Sequence, residues 1–112
     1  MQIEAETLDG GILKLILAGR MDVQGASEID IQFASYASRQ RSVVVDMSAV
    51  DFLASIGIRT LLLTAKAMSQ RGGKMVLLNP DTNVTQILEM AGIDTLIPIV
   101  RSLDAARGAL AA

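Results

Sequence analysis

Between a run of valines and a long amphipathic stretch the chain reads Asp46-Met47-Ser48-Ala49-Val50-Asp51-Phe52-Leu53-Ala54-Ser55-Ile56-Gly57. Two carboxylates and two hydroxyls, those of Ser48 and Ser55, thus fall where a buried strand gives way to a helix. Carboxylates and hydroxyls at such a junction can accept a phosphoryl group, cap a helix or meet a partner. They cannot readily do more, because the chain has no His and no Cys. With these go the commonest general base, the commonest metal ligand and all thiolate chemistry. Ser55 is the only hydroxyl between Asp51 and Arg59. Read without a base beside it, it is a phosphoacceptor or an N-cap; considered alone, the cap is the commoner role for Ser before a helix.

Asp46, at the end of Ser42-Val43-Val44-Val45, brings to mind an aspartyl-phosphate receiver. That chemistry needs an acidic pair after the first strand to hold Mg²⁺ and a Lys after the last strand. Here Ile97-Pro98-Ile99-Val100 is followed by Arg101 and Ser102, so Asp46 reads as a turn or cap residue. The lysines, Lys14, Lys66 and Lys74, stand in patterns that read as solvent-facing. No metal site, no cofactor and no catalytic activity are expected.

Composition narrows the partners. Half of the 112 residues are hydrophobic, yet there are two Phe, one Tyr and no Trp, so the stacking platforms that bind single-stranded nucleic acid are missing. Ten basic against twelve acidic residues leave no cationic run to neutralise a row of phosphates. Nucleic acid is not an expected partner. The start Met1-Gln2-Ile3-Glu4-Ala5-Glu6 is acidic where a signal peptide is basic, and Ile12 to Ala18 is too short to cross a bilayer. A cytoplasmic protein without membrane insertion is the expectation.

The elements that must position these residues follow from periodicity. Ile3 to Thr7 and Ile12 to Leu17 flank Asp9-Gly10-Gly11, a turn set suited to an antiparallel hairpin. Val23 to Ser38 carries Ala26, Ile29, Phe33 and Ala37 at helical spacing. Ser42 to Asp46 reads as a central strand buried on both faces, and Ser55 to Arg71 as a helix stopped by Gly72-Gly73. Lys74 to Leu78 is a strand, Asn83 to Met90 a helix ended by Gly92, Ile97 to Val100 a strand, and Ser102 to Leu110 a helix capped by Ser102. This order predicts a single α/β domain over residues 1–112. Its sheet is mixed but largely parallel, packed by helices, with an N-terminal antiparallel hairpin. Function in such sheets gathers at the carboxyl ends of the strands, here Gly19 to Asp22, Asp46 to Ser55 and Asn79 to Asp81.

Those segments, Gly19-Arg20-Met21-Asp22, Val45-Asp46-Met47-Ser48 leading to Asp51-Phe52-Leu53-Ala54-Ser55-Ile56-Gly57-Ile58, Gly72-Gly73-Lys74, and Leu88-Glu89-Met90-Ala91-Gly92-Ile93, together resemble the anti-sigma factor antagonists, whose fold is the STAS domain (sulfate transporter and anti-sigma factor antagonist). The resemblance implies partner switching. In that family the Ser-containing turn is phosphorylated by an anti-sigma factor that is also a serine kinase of the GHKL ATPase type. The unphosphorylated form binds this kinase and frees its client for transcription, and a phosphoserine phosphatase can reset the switch. The family commonly reads Asp-Ser-Ser-Gly or Asp-Ser-Thr-Gly where this chain has Ala54-Ser55-Ile56-Gly57. Ile56 cannot accept phosphate, so the acceptor role carries to Ser55. The surface implied for the partner takes in Met21, Asp22, Asp51, Ala54, Ser55, Ile56, Gly57 and Arg59. The alternative role within the family is a standalone STAS subunit bound to the ATPase of an ABC-type transporter complex, where Ser55 would be structural or contact-making.

Several of these residues also have simple structural roles. Asp22 caps the helix that opens at Val23. Phe52 and Leu53 anchor the turn to the core. Gly57, costly in a first helical turn, marks a close approach of a strand or of the partner. Met21, Met47, Met68, Met75 and Met90 fill the core or its rim, with Met21 the one that could also face a partner.

Overall fold

A computed structural model describes all 112 residues as a five-stranded sheet in the order β1-β2-β3-β4-β5. The strands are β1 (Gln2–Leu8), β2 (Ile12–Met21), β3 (Ser42–Leu53), β4 (Lys74–Leu78) and β5 (Ile99–Val100), and the helices are α1 (Val23–Ser38), α2 (Ser55–Gln70), α3 (Thr82–Met90) and α4 (Leu103–Ala111). A 3₁₀ turn over Ile93–Thr95 links α3 to β5. The hairpin β1-β2 is antiparallel, and every later pairing is parallel. The predicted mixed sheet, its hairpin and all four helices are present.

Layering follows from this order. Each strand is added beside the one before it, so right-handed crossovers send the three connecting helices to one face. The larger core lies there, with Leu15, Leu17 and Val45 of the sheet meeting Phe33 of α1, Leu61 of α2 and Leu88 of α3. The terminal helix α4 has no crossover to complete. It packs Ala106 on the opposite face against Ile12, Val44, Val76 and Leu78.

Three predicted strand boundaries moved. The strand expected to end at Asp46 runs on to Leu53, and its partner β2 runs on to Met21. Their register slips between Ile16 and Ala18 and again between Gly19 and Arg20, so β3 carries extra residues against β2. Such bulges break the period of two. Inward residues become Met47, Val50 and Leu53, three apart, a spacing that does not read as a strand. In the third case, Ile97 and Pro98 lie outside β5, which keeps only Ile99–Val100.

Asp46 holds the first bulge. One carboxylate oxygen accepts from the Ser48 amide (3.0 Å) and hydroxyl (2.7 Å), and the other lies 3.6 Å from Lys14 Nζ. Lys14 is therefore half-buried and not solvent-facing. Lys74 is also half-buried, donating to the carbonyls of Ala109 and Ala112 at 3.0 and 3.2 Å, where it closes the end of α4.

Candidate functional site at the start of the second helix

The ends of β2 and β3 lie side by side and launch α1 and α2. Met21 pairs with Leu53 in the ladder, and the Ala54 amide donates to the Met21 carbonyl at 3.0 Å. The Asp22 and Ser55 segments are thereby joined at one end of the sheet, the carboxyl end that parallel sheets use for function.

Asp22 is the N-cap of α1, as its sequence position suggested. Oδ1 accepts from the Gly25 amide at 2.8 Å and Oδ2 from Arg20 Nε at 3.3 Å. Its carboxyl is held below the usual carboxylate range, chiefly by the Gly25 hydrogen bond, with Arg20 adding to it against the opposing effect of desolvation. The Arg20 guanidinium also lies 4.1 Å from the centroid of the Phe52 ring, a cation–π distance. Phe52 is partly exposed. It stacks under Arg20 and only Leu53 anchors the turn in the core.

Ser55 stands in a different place from the one expected of a cap. The N-cap of α2 is Ala54, no side chain caps the helix, and no acid lies in its first turn. Ser55 is the first helical residue and is exposed. The other three helices are capped, by Asp22, Asp81 and Ser102. The start of α2 therefore presents backbone N–H groups and the positive end of its dipole without an anion to meet them.

Gly57 explains why the turn sits so tightly on the sheet. A Cβ built there would stand 2.7 Å from Met21 Cγ, 2.8 Å from Leu53 Cδ1 and 3.0 Å from the Met21 carbonyl oxygen. The close approach is to the ends of β2 and β3, the strand option of the two for this glycine. It also relocates Met21, which is fully buried under Gly57 and shapes the floor of the turn without offering its side chain to a partner. Of the other methionines, Met47, Met68 and Met75 are core, whereas Met90 is 88% exposed and fills nothing.

The remaining candidates divide. Ser55, Ile56, Asp51 and Arg59 are exposed, Ala54 and Asp22 are half-exposed, and Gly57 is buried. Asp51 projects from β3 and not from a loop. Sequence reasoning missed Arg20 as a participant. Its place two residues before a capping Asp was visible, but its stacking partner Phe52 is brought to it only by the bulged register.

The sequence pattern of the STAS domain matches residues 2–106. The chain belongs to the STAS domain family. It is 29% identical over 110 residues to BtrV of Bordetella bronchiseptica, a protein named as an anti-sigma factor antagonist, covering 97% of this chain and 94% of that one. Its fold superposes on the crystal structure of an anti-sigma factor antagonist from Mycobacterium paratuberculosis with a TM-score of 0.88 at 22% identity, over 99% of this chain and 94% of the other. It also matches the phosphorylated form of the Bacillus cell fate determinant SpoIIAA, with a TM-score of 0.72 at 14% identity over 96% and 99% of the two chains. No helix of this STAS domain is long and apolar enough to cross a membrane.

Proposed function

We propose that this STAS domain is an anti-sigma factor antagonist in a partner-switching pathway. The unphosphorylated form binds an anti-sigma factor that is also a serine kinase of the GHKL ATPase type, and the kinase's client is freed. Phosphate on Ser55 weakens the complex, and a phosphoserine phosphatase restores it. The domain works in the cytoplasm by binding and not by catalysis.

The observation that carries this reading is the exposed Ser55 hydroxyl on the one helix start that has no cap. A phosphate there meets free N–H groups and a favourable dipole, so the fold tolerates it. Its charge of roughly −1.5 to −2 then acts on whatever docks at that surface. Relatives named as antagonists and a phosphorylated structural neighbour support the same reading.

The test is transfer of phosphate from the purified kinase of the same organism with ATP, followed by mass spectrometry of wild type and Ser55→Ala. One phosphate on wild type and none on the variant is the expected result. Equal labelling of the two would overturn the assignment, and a hydroxylamine-labile label would move it to an aspartate.

A further inference from the structure

We propose that the partner docks along the whole outward face of α2, and that the partner surface meeting it is apolar and acidic. This rests on the reading above, that an anti-sigma factor kinase binds at the Ser55 turn.

The first argument is charge. The chain as a whole carries a net charge of −2, with twelve acids, yet α2 from Ser55 to Gln70 contains no acid at all and two cations, Arg59 and Lys66. Neither cation is spent inside the fold, since the ion pairs lie elsewhere, at Met1–Glu28, Lys14–Asp46 and Arg20–Asp22. By contrast Arg71, just beyond the helix, is committed. Its guanidinium donates to the Ser38 and Ala37 carbonyls, at 3.0 Å each, and closes the end of α1.

The second argument is the pattern on which those cations sit. Ile56, Arg59, Leu63 and Lys66 are spaced three or four apart and form one stripe. All four are exposed, Ile56 by 37% and Leu63 by 55%. Leu63 is a ridge between two hollows, one of about 320 Å³ toward α1 and one of about 480 Å³ toward Leu96 and Ile97. Asp30 is the only acid lining either. An apolar ridge flanked by hollows and bordered by free cations complements an apolar surface that carries Asp or Glu.

The third argument is continuity. Ile56 lines the hollow toward α1 and follows Ser55 directly, so this face and the switch turn form one surface. The sign of the switch then has a cause: a phosphate on Ser55 brings negative charge to the end of a cationic helix and opposes the acids of the partner.

Eleven residues of helix place Lys66 about 16 Å along the axis from Ser55, beyond the Debye length of about 8 Å at physiological salt. Lys66 can therefore be tested separately from the phosphate. Calorimetric titration of the purified kinase of the same organism would compare wild type, Lys66→Glu, Ser55→Asp, their double variant and Arg107→Glu, a charge reversal on α4 at the opposite sheet face, with circular dichroism to confirm folding. At about 50 mM salt Lys66→Glu should bind roughly 3- to 10-fold more weakly, with most of that loss gone at about 500 mM. The double variant should lose the product of the two single losses, and Arg107→Glu should bind as wild type does.

If Lys66→Glu binds normally at both salts while Ser55→Asp is impaired, the partner stops at the start of α2 and the proposal is wrong. It is equally wrong if Arg107→Glu costs as much as Lys66→Glu, because net charge alone then explains the loss. A Ser55→Asp variant that binds normally while Lys66→Glu is impaired upholds the docking face and overturns the switch.

Discussion

The starts of α1 and α2 are neighbours at one end of the same sheet, and they are built in opposite ways. At α1 a carboxylate caps the helix, an arginine braces the carboxylate, and Gly25 lets the chain fold back so closely that a Cβ there would lie 1.8 Å from the Arg20 carbonyl oxygen. At α2 the capping position is Ala54 and the next residue is an exposed serine. One helix start is closed by the fold, and the other is open to an anion from outside. The difference teaches where this domain keeps stability and where it keeps a switch: an open N-terminus forgoes a cap worth about 0.5–2 kcal/mol.

The largest expected effect lies on the closed side. Gly25→Ala would drive a methyl group into backbone, the Arg20 carbonyl, which cannot rotate away. A loss of about 3 kcal/mol or more is expected, at or beyond the usual limit for overpacking, read as a fall in the urea midpoint. On the open side Gly57→Ala meets two side-chain atoms, Met21 Cγ and Leu53 Cδ1, before it meets the Met21 carbonyl, and about 1–3 kcal/mol is expected. Equal losses at the two glycines would mean that the two starts are equally rigid and that the contrast is wrong.

Next in size is the effect of charge on the open side. Ser55→Asp should weaken binding of the kinase by about tenfold or more, since a charge left uncompensated in an interface costs about 2–5 kcal/mol and each 1.4 kcal/mol is a factor of ten. Its melting temperature should stay near that of wild type, and Ser55→Ala should bind normally and resist switching. Calorimetric titration run beside thermal melts separates the cases. Weaker binding that merely follows a large drop in melting temperature would place the effect in the fold and not in the interface.

Filling the open start should produce a smaller change. Ala54→Asp supplies the missing cap, so a gain of about 0.5–1 kcal/mol is expected, or roughly 2–4 °C in a domain of this size. The added carboxylate also occupies the site that a phosphate would use. Phosphorylated Ala54→Asp should therefore gain less thermal stability from its phosphate than phosphorylated wild type does. A phosphate that stabilises both equally would show that it does not engage the helix start.

These contrasts were unequally legible in the sequence. The closed start could be read directly, because Asp22 precedes a run of helical period and caps are local chemistry. The order of strands and helices was equally plain, and so was a close approach at Gly57. The open start was not: Ser55 in front of a helix looks like a cap, and whether it is the cap or the first helical residue turns on one backbone conformation, the extended one that Ala54 adopts. The bulges of β3 hid its second half, because extra residues move the inward positions from a spacing of two to a spacing of three. For the same reason the stacking of Arg20 on Phe52 could not be foreseen, nor could Met21 be placed under Gly57. Each is a long-range consequence of register.

The smallest expected effect concerns acid, and it separates the two starts once more. Asp22 has its carboxyl held below the usual range in the folded chain, first by the Gly25 amide and then by Arg20. A carboxylate of this kind stabilises the fold fully above its unfolded pKa of about 3.9 and loses that contribution as pH falls through its lower folded value. Asp22→Asn keeps an acceptor for the Gly25 amide, since Asn caps about as well as Asp, but it carries no titrating charge. The variant should melt close to wild type at neutral pH and lose less stability on acidification. Thermal melts from about pH 6 down to about pH 2 would show this as two curves that start together near neutral pH and part toward acid, with wild type falling below the variant. At Ala54 and Ser55 there is no acid to titrate, so the start of α2 should contribute nothing to that slope. If wild type and Asp22→Asn instead ran parallel across the whole range, the charge of Asp22 would be idle, and the closed start would owe its firmness to the glycine fold-back alone.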